Sequence, residues 1–120
     1  MLGIGVAGAG GREAWAWRPD AKVVIVEAGH PVPDAAGLAA GRKALDIATA
    51  AGADDLVIVV LSGGGSALLE ALAGLTLEEL QATTATLLAC GATINEINCL
   101  RKHLSVLKGG QLGAPFIPPP

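Results

Sequence analysis

A glycine-rich turn between two apolar segments constrains this chain more than any other feature. Ser62-Gly63-Gly64-Gly65-Ser66 follows the apolar run Leu56–Leu61 and precedes Ala67-Leu68-Leu69. The order predicts a buried strand, a tight turn and the start of a helix. Glycines permit positive φ angles and close approach of a ligand, while serine hydroxyls and the N–H groups at a helix start bind anions. The turn is therefore predicted to bind a phosphate or a carboxylate through Ser62, Gly63, Gly64, Gly65 and Ser66. A strand-to-helix turn whose glycines serve only packing is the alternative.

Composition favours one globular α/β domain. Of the 120 residues, 52% are hydrophobic, 16% are charged and 2% are aromatic. The core must therefore be built from Val, Ile, Leu and Ala, as in a sheet covered by helices on both faces. A net charge of −3 argues against a nucleic-acid surface. No apolar run approaches the length of a membrane span, so we expect a cytoplasmic protein without a membrane or nucleic-acid partner.

The two cysteines do not suggest a metal site. Cys90 and Cys99 form no CxxC pair, and His103 is the one histidine near them. Because a structural zinc site needs four ligands, no metal is predicted. Two buried free thiols in a reducing compartment are the expectation.

Short apolar runs alternate with capped helical segments along the chain. The predicted strands are Leu2–Ala7, Lys22–Glu27 and Leu56–Leu61. This alternation is typical of a doubly wound fold, and right-handed crossovers place the loops after the first and third strands at one sheet edge. We therefore expect a three-layer, Rossmann-like parallel sheet flanked by helices over residues 1–110.

Capping residues predict where the helices begin and end. Asp34 is predicted to cap a helix that runs through Ala51, and Thr-x-x-Glu capping boxes begin at Thr76 and Thr93. The two helices that follow these boxes are expected to end at Gly91 and at Lys108. Shorter helices are predicted over Arg12–Trp17 and Ser66–Leu72, whereas the proline-rich tail, residues 111–120, is expected to continue neither helix nor sheet.

Five ordered segments between residues 27 and 112 resemble the N-terminal domain of class II glycerate kinases. They read EAGHPVPD, LSGGGSALL, GATINEIN, RKHLS and KGGQL. The resemblance implies ATP-dependent phosphorylation of D-glycerate on its 2-hydroxyl, with ATP and Mg²⁺ as the family's requirements. It also implies a nucleotide- and glycerate-binding Rossmann-like domain that forms a cleft with a C-terminal MOFRL domain.

The chain departs from the family pattern at three places. Gly8-Ala9-Gly10-Gly11-Arg12 stands where the family has a Gly-Ala-Gly-Lys run, so Arg12 is a candidate stand-in for the family lysine. The stretch between Trp17 and Lys22 is shorter than in the family. The family's Ser-Asp-Val aspartate and a further C-terminal arginine do not occur after Leu112. We therefore expect a truncated fold that is weak or inactive alone, because phosphoryl transfer needs charge neutralisation and an oriented hydroxyl.

A basic trio, Arg101-Lys102-His103, follows the second capping box. Consecutive helical residues point to different faces, so the three cannot all meet one ligand. The resemblance favours Arg101 and Lys102 as charges facing the glycine-rich turn. A solvated basic helix end, favoured by the helix dipole, is the alternative.

Three hypotheses on function follow. The first is a glycerate kinase-like domain that binds a small-molecule anion, either a nucleotide or glycerate. The second is a non-catalytic α/β module of the same family that forms a homo-oligomer, because a shortened sheet exposes apolar edges. The third, a dehydrogenase, is disfavoured because no acid–base histidine with a hydride-transfer context can be identified.

Overall fold

The computed structural model of the chain describes residues 2–8 and 22–116. Strands β1 (Leu2–Ala7) and β2 (Lys22–Glu27) pair in parallel, with Leu2 opposite Lys22 and Ala7 opposite Glu27. Both strands have the bounds predicted from their apolar, β-branched sequences. The helix predicted over Arg12–Trp17 lies outside the described residues.

Helix α1 (Ala35–Ala50) packs on both strands. It begins as predicted, because the Asp34 carboxylate accepts hydrogen bonds from the N–H groups of Gly37 and Gly29, each at 2.8 Å. The buried glycines of α1 bring its backbone against the segment of residues 68–70. A methyl group on Gly41 would lie 1.9 Å from the carbonyl oxygen of Glu70.

Three further α-helices follow: α2 (Gly65–Leu68), α3 (Leu77–Ala89) and α4 (Ile94–His103). The predicted capping boxes at Thr76 and Thr93 are both formed. Gly91 follows α3 with a φ of 75°, a conformation that favours glycine after a helix. None of the described helices is long and apolar enough to cross a membrane.

The third predicted strand is wrong. Leu56–Leu61 forms neither a helix nor a paired strand, and five of its six side chains are 52–84% exposed. A strand requires a neighbour for its backbone N–H and C=O groups, and none of the described residues provides one. The described protein is therefore an α/β structure with a two-stranded parallel sheet and helices.

Two helices end earlier than predicted because the segments that follow them are hydrogen-bonded to each other. Leu72 and Ser105 form an antiparallel bridge, and the Val106 N–H donates to the Ala71 carbonyl at 2.8 Å. These bonds join the segment around Leu72 to the segment around Ser105. The first helix therefore ends at Leu68 instead of Leu72, and α4 ends at His103 instead of Lys108.

The tail also differs from its expectation, since Gln111–Phe116 forms a short 3-10 helix that contacts α1. Gly109 and Gly110 turn the chain with φ angles of 65° and 87°. The Gln111 side-chain amide then donates to the carbonyls of Ser105 and Lys102. These contacts fix the start of the helix despite the proline at position 115.

The cysteines are free, as expected, but both are exposed instead of buried. The buried residues of α4 are Ile97 and Arg101, four positions apart. Cys99 lies midway between them in sequence and so faces the opposite side of the helix. Cys90 is the C-cap residue that directly follows α3.

Candidate functional site

The three glycines of the turn have different structural roles. Gly64 precedes α2 with a φ of 82°, which a side chain would strain. Gly63 and Gly65 have no such φ, and a methyl group on either would meet no atom within 4 Å. The backbone conformation therefore explains Gly64, whereas Gly63 and Gly65 leave an open approach to the backbone.

The two serines of the turn have unoccupied hydroxyls. Ser62 is exposed and Ser66 is half-buried, and within the described part of the chain neither hydroxyl has a hydrogen-bond partner. Helix α2 has four residues, so few peptide dipoles add up at its start. Anion affinity at this turn must therefore come from local N–H groups, the hydroxyls and nearby charges.

Arg101 brings one such charge to the turn from inside the protein. Arg101 is 8% exposed, and its Nη2 donates to the Ser66 carbonyl at 3.1 Å. Its Nε is buried and has no hydrogen-bond partner among the described residues. The structure thus brings together two of the sequence-predicted elements, Arg101 and the Ser62–Ser66 turn.

A buried ion pair beside Arg101 was not predicted. Glu70 is 1% exposed and pairs with Lys108, whose Nζ also donates to the Leu69 carbonyl at 3.0 Å. Burial lowers the pKa of Lys108, and the charge of Arg101 lowers it further, whereas the hydrogen bond and the charge of Glu70 raise it. Among the described residues, this cluster joins two basic side chains to one carboxylate, a formal charge of +1 near the turn.

The sequence contains a weak signal for that pair. Glu70 is a lone acid between Ala67-Leu68-Leu69 and Ala71-Leu72, a position where a charged side chain would be buried. Buried charges in proteins are normally paired. The partner, however, lies 38 residues away along the chain, and no local pattern identifies it.

Lys102 lies elsewhere on α4. It is exposed, and its Cβ would lie 3.3 Å from a methyl group on Gly109. Its carbonyl accepts a hydrogen bond from Gln111. The described contacts of Lys102 are therefore with residues 109–111. Arg12 lies outside the described residues.

His30 is next to the turn, a contact that no sequence pattern predicted. A methyl group on Gly64 would lie 3.2 Å from Nε2 and 3.4 Å from Cδ2 of His30. The nitrogen-bearing edge of the imidazole thus faces the central glycine. Across the described ranges, no group of three or more His, Cys, Asp or Glu side chains is placed to hold a metal ion.

Comparisons with known proteins agree with the resemblance. A family model described as "Domain of unknown function (DUF4147)" matches residues 4–118. A glycerate 2-kinase of Pyrococcus horikoshii is 47% identical over 92 residues, covering 76% of this chain and 21% of that protein. A protein of Agrobacterium vitis with a provisional hydroxypyruvate reductase name is 46% identical over 101 residues, covering 83% of this chain and 23% of that protein.

A solved structure shares the fold. The crystal structure of glycerate kinase from Thermotoga maritima superposes with a TM-score of 0.83 at 39% identity, covering 98% of this chain and 28% of that one. The chain thus spans between a fifth and three-tenths of the length of these relatives. Because the family model matches residues 4–118 of its 120 residues, the chain belongs to the DUF4147 family, and it is homologous to glycerate kinases.

Proposed function

We propose that this chain is the nucleotide- and glycerate-binding part of an ATP-dependent glycerate kinase. In this proposal the Ser62–Ser66 turn binds an oxyanion, either a phosphate of the nucleotide or the carboxylate of glycerate. Relatives named as glycerate kinases support the substrate class. The observation that carries the binding site is the buried Arg101 guanidinium held against Ser66.

The turn provides hydrogen-bond donors, which phosphoryl transfer requires from a protein. Catalysis of this reaction consists largely of positioning and of stabilising negative charge. The N–H groups and the hydroxyls of the turn donate hydrogen bonds to an oxyanion, and the net positive cluster of Arg101, Lys108 and Glu70 favours its charge. Each charge-assisted hydrogen bond contributes roughly 1.5–3 kcal/mol.

Two further charges belong to the proposal. We propose Lys102 as a second charge near the bound anion, because rotation about its long side chain gives it reach beyond its own turn of α4. Arg12 is proposed as the stand-in for the family lysine that follows the first glycine loop. Arginine differs from lysine in shape, so this replacement alters how a phosphate is held.

The described residues do not fit the Mg²⁺ that the family requires. Magnesium prefers carboxylate oxygens, phosphates and water in an octahedral arrangement. The carboxylate beside the turn, Glu70, is occupied by Lys108 and by the Ala71 N–H. No residue of this site is therefore assigned to the metal.

We further propose that the chain binds better than it catalyses. The family's Ser-Asp-Val aspartate and later arginine are not among its 120 residues. We also propose that residues 1–110 belong to a three-layer, Rossmann-like domain, of which the described parallel sheet and helices are part. Residues 111–120 are proposed as a tail that follows this domain, and a cytoplasmic location remains a prediction.

The second candidate function is a non-catalytic, oligomerising α/β module of the same family. The exposed apolar run Leu56–Leu61 favours it, because such a segment pairs readily with another chain. Anion binding at the turn distinguishes the two candidates, since an oligomerising module has no need of it.

Calorimetric titration with ATP, ADP and D-glycerate tests the proposed site. Gly63→Val and Gly65→Val place a branched side chain in the open approach without straining the backbone, and Gly113→Val is the matched control, because a methyl group there also meets nothing within 4 Å. We expect the two turn variants to lose at least tenfold in affinity and the control to bind like the wild type. Equal binding by all four proteins would show that the turn serves only packing.

A further inference from the structure

We infer that His30 donates a hydrogen bond to the oxyanion bound at the Ser62–Ser66 turn, an inference that rests on the proposed function of that turn. The evidence begins with the orientation of the ring. Nε2 and Cδ2 are the His30 atoms nearest to the space beside Gly64. A ring nitrogen that can donate a hydrogen bond therefore lies at the central glycine of the turn.

The loop that carries His30 is anchored on both sides of it. Ala28 is 7% exposed, and Pro33 is fully buried. The Gly29 N–H donates to Asp34, and the Gln81 amide donates to the Pro33 carbonyl, each at 2.8 Å. His30 itself is exposed. Its position is thus set by its neighbours, which leaves its ring nitrogens available.

His30 and Arg101 contact different residues of the turn. Arg101 is buried and donates to the Ser66 carbonyl, whereas His30 is exposed and adjoins Gly64. The Arg101 Nε is also buried and has no partner in the described part of the chain, which is unusual for a polar atom. In this inference His30 donates to the oxyanion from beside Gly64, and Arg101 adds its positive charge through its contact with Ser66.

Packing by His30 would require other properties of its side chain than hydrogen bonding does. Contact with Gly64 alone requires a flat ring but no nitrogen. Phenylalanine keeps that ring and removes both nitrogens, whereas glutamine removes the ring and keeps a donor. The variants His30→Phe and His30→Gln therefore separate hydrogen bonding from packing.

The test is an NMR titration of the full chain with ADP in one arm and D-glycerate in the other, followed by the imidazole signals. The chain has two histidines, so the variant His103→Phe assigns both signals and is the matched control. We expect the ligand that occupies the turn to shift the His30 signals. His30→Phe should bind about tenfold more weakly than the wild type, with His30→Gln between them and His103→Phe unchanged. The arm that shows this identifies the anion as phosphate or carboxylate.

Two results would overturn the inference. Only the second would also contradict the proposed anion site at the turn. If the wild type binds and the Gly63→Val variant does not, while His30→Phe binds normally and the His30 signals stay in place, His30 is a packing residue and the proposed turn site stands. If neither ligand binds the wild type in either arm, both the turn site and the role of His30 are wrong. Circular dichroism of each variant confirms that a loss of binding is not a loss of folding.

Discussion

Single atoms decide which glycines of this protein tolerate a side chain. In α1, Gly37 and Gly41 face the backbone of residues 68–70, and the Glu70 N–H donates to the Gly37 carbonyl at 3.2 Å. Helix interiors ordinarily prefer alanine to glycine by about 1 kcal/mol. Here the close approach of two backbones outweighs that preference.

Gly41→Ala is predicted to destabilise the protein. The added methyl group would lie 1.9 Å from the Glu70 carbonyl oxygen, and overpacking of this kind costs about 1–3 kcal/mol, more than the helix propensity returns. Urea denaturation should show a lower midpoint than in the wild type. Gly52→Ala is the control, because its methyl group would approach Asp55 no closer than 3.6 Å. Equal stability of the two variants would contradict the prediction.

Lys108→Met is predicted to destabilise the protein strongly, although lysine and methionine have similar volumes. It leaves the Glu70 carboxylate 1% exposed without its cation, and an unpaired buried charge costs about 3–5 kcal/mol. The double variant Glu70→Gln with Lys108→Met should recover most of that loss in thermal or urea unfolding. If the double variant is less stable than Lys108→Met alone, the pair is not what the lysine stabilises.

At the scale of elements, the two Thr-x-x-Glu boxes show how local sequence sets helix starts. In each box the threonine hydroxyl accepts a hydrogen bond from the backbone of the glutamate, and the glutamate carboxylate accepts one from the backbone of the threonine. The second box begins α4, the helix that carries Arg101 to the turn. A local motif thus helps to position a residue of the candidate site.

The stabilising effect of Glu96 is predicted to disappear in acid. Hydrogen bonds from the Thr93 backbone N–H and hydroxyl lower the pKa of Glu96 from its ordinary value of 4.5, against a small opposing effect of burial. A carboxyl with a lowered pKa stabilises the fold above 4.5, and that stabilisation is lost as the pH falls through the lowered value. Glu96→Ala should therefore be less stable than the wild type at neutral pH.

Urea titrations of both proteins at neutral pH and at a pH below the lowered pKa check this. The difference between wild type and Glu96→Ala should shrink in acid. Glu78→Ala, which removes an exposed carboxylate from the first turn of α3, controls for a general effect of charge. A difference that stays constant with pH would mean that the hydrogen-bonded carboxylate is not its source.

Local signals predicted the elements that depend on local interactions. The strands β1 and β2 and the starts of α1, α3 and α4 follow from β-branched runs and capping residues, and all are confirmed. The predicted third strand and the predicted ends near Leu72 and Lys108 are wrong, because each depends on partners distant in sequence. The antiparallel bridge of Leu72 with Ser105 is such a case.

The candidate site shows the same limit. The turn itself could be identified from its glycines and serines, and Arg101 from the family resemblance. Glu70 with Lys108, and His30 with Gly64, could not be paired from the sequence, since 38 residues separate the first two and no periodicity links them. These pairs form only when the folded chain brings distant residues together, so local sequence does not predict them.

At the scale of the whole molecule, the run Leu56–Leu61 contains the most exposed large hydrophobic side chains of the described residues. Leu56 and Val60 are each 84% exposed, and Ile58 is 73% exposed. These three alternate in sequence, so in a strand they would share one face. Contiguous apolar surface of this kind is normally covered by a partner.

We predict that the isolated chain forms a homo-oligomer, most simply a dimer, through this run. Ile58→Lys combined with Val60→Lys should shift the molecular mass measured by light scattering towards that of the monomer, because charges on an edge oppose pairing. Leu88→Lys, at a residue that is 61% exposed on α3, is the matched control. A monomeric wild type, or equal dissociation by the control, would contradict the prediction.

The contact of α1 with residues 68–70 has a consequence for recombining this chain with its relatives. Gly37 and Gly41 fit the opposite backbone so closely that each surface is specific to the other. A crossover point between Gly41 and Glu70 would join halves from two parents whose surfaces were shaped separately. Crossovers before Ala35 or after Ala71 transfer both surfaces together, so chimaeras with these junctions should keep the fold more often.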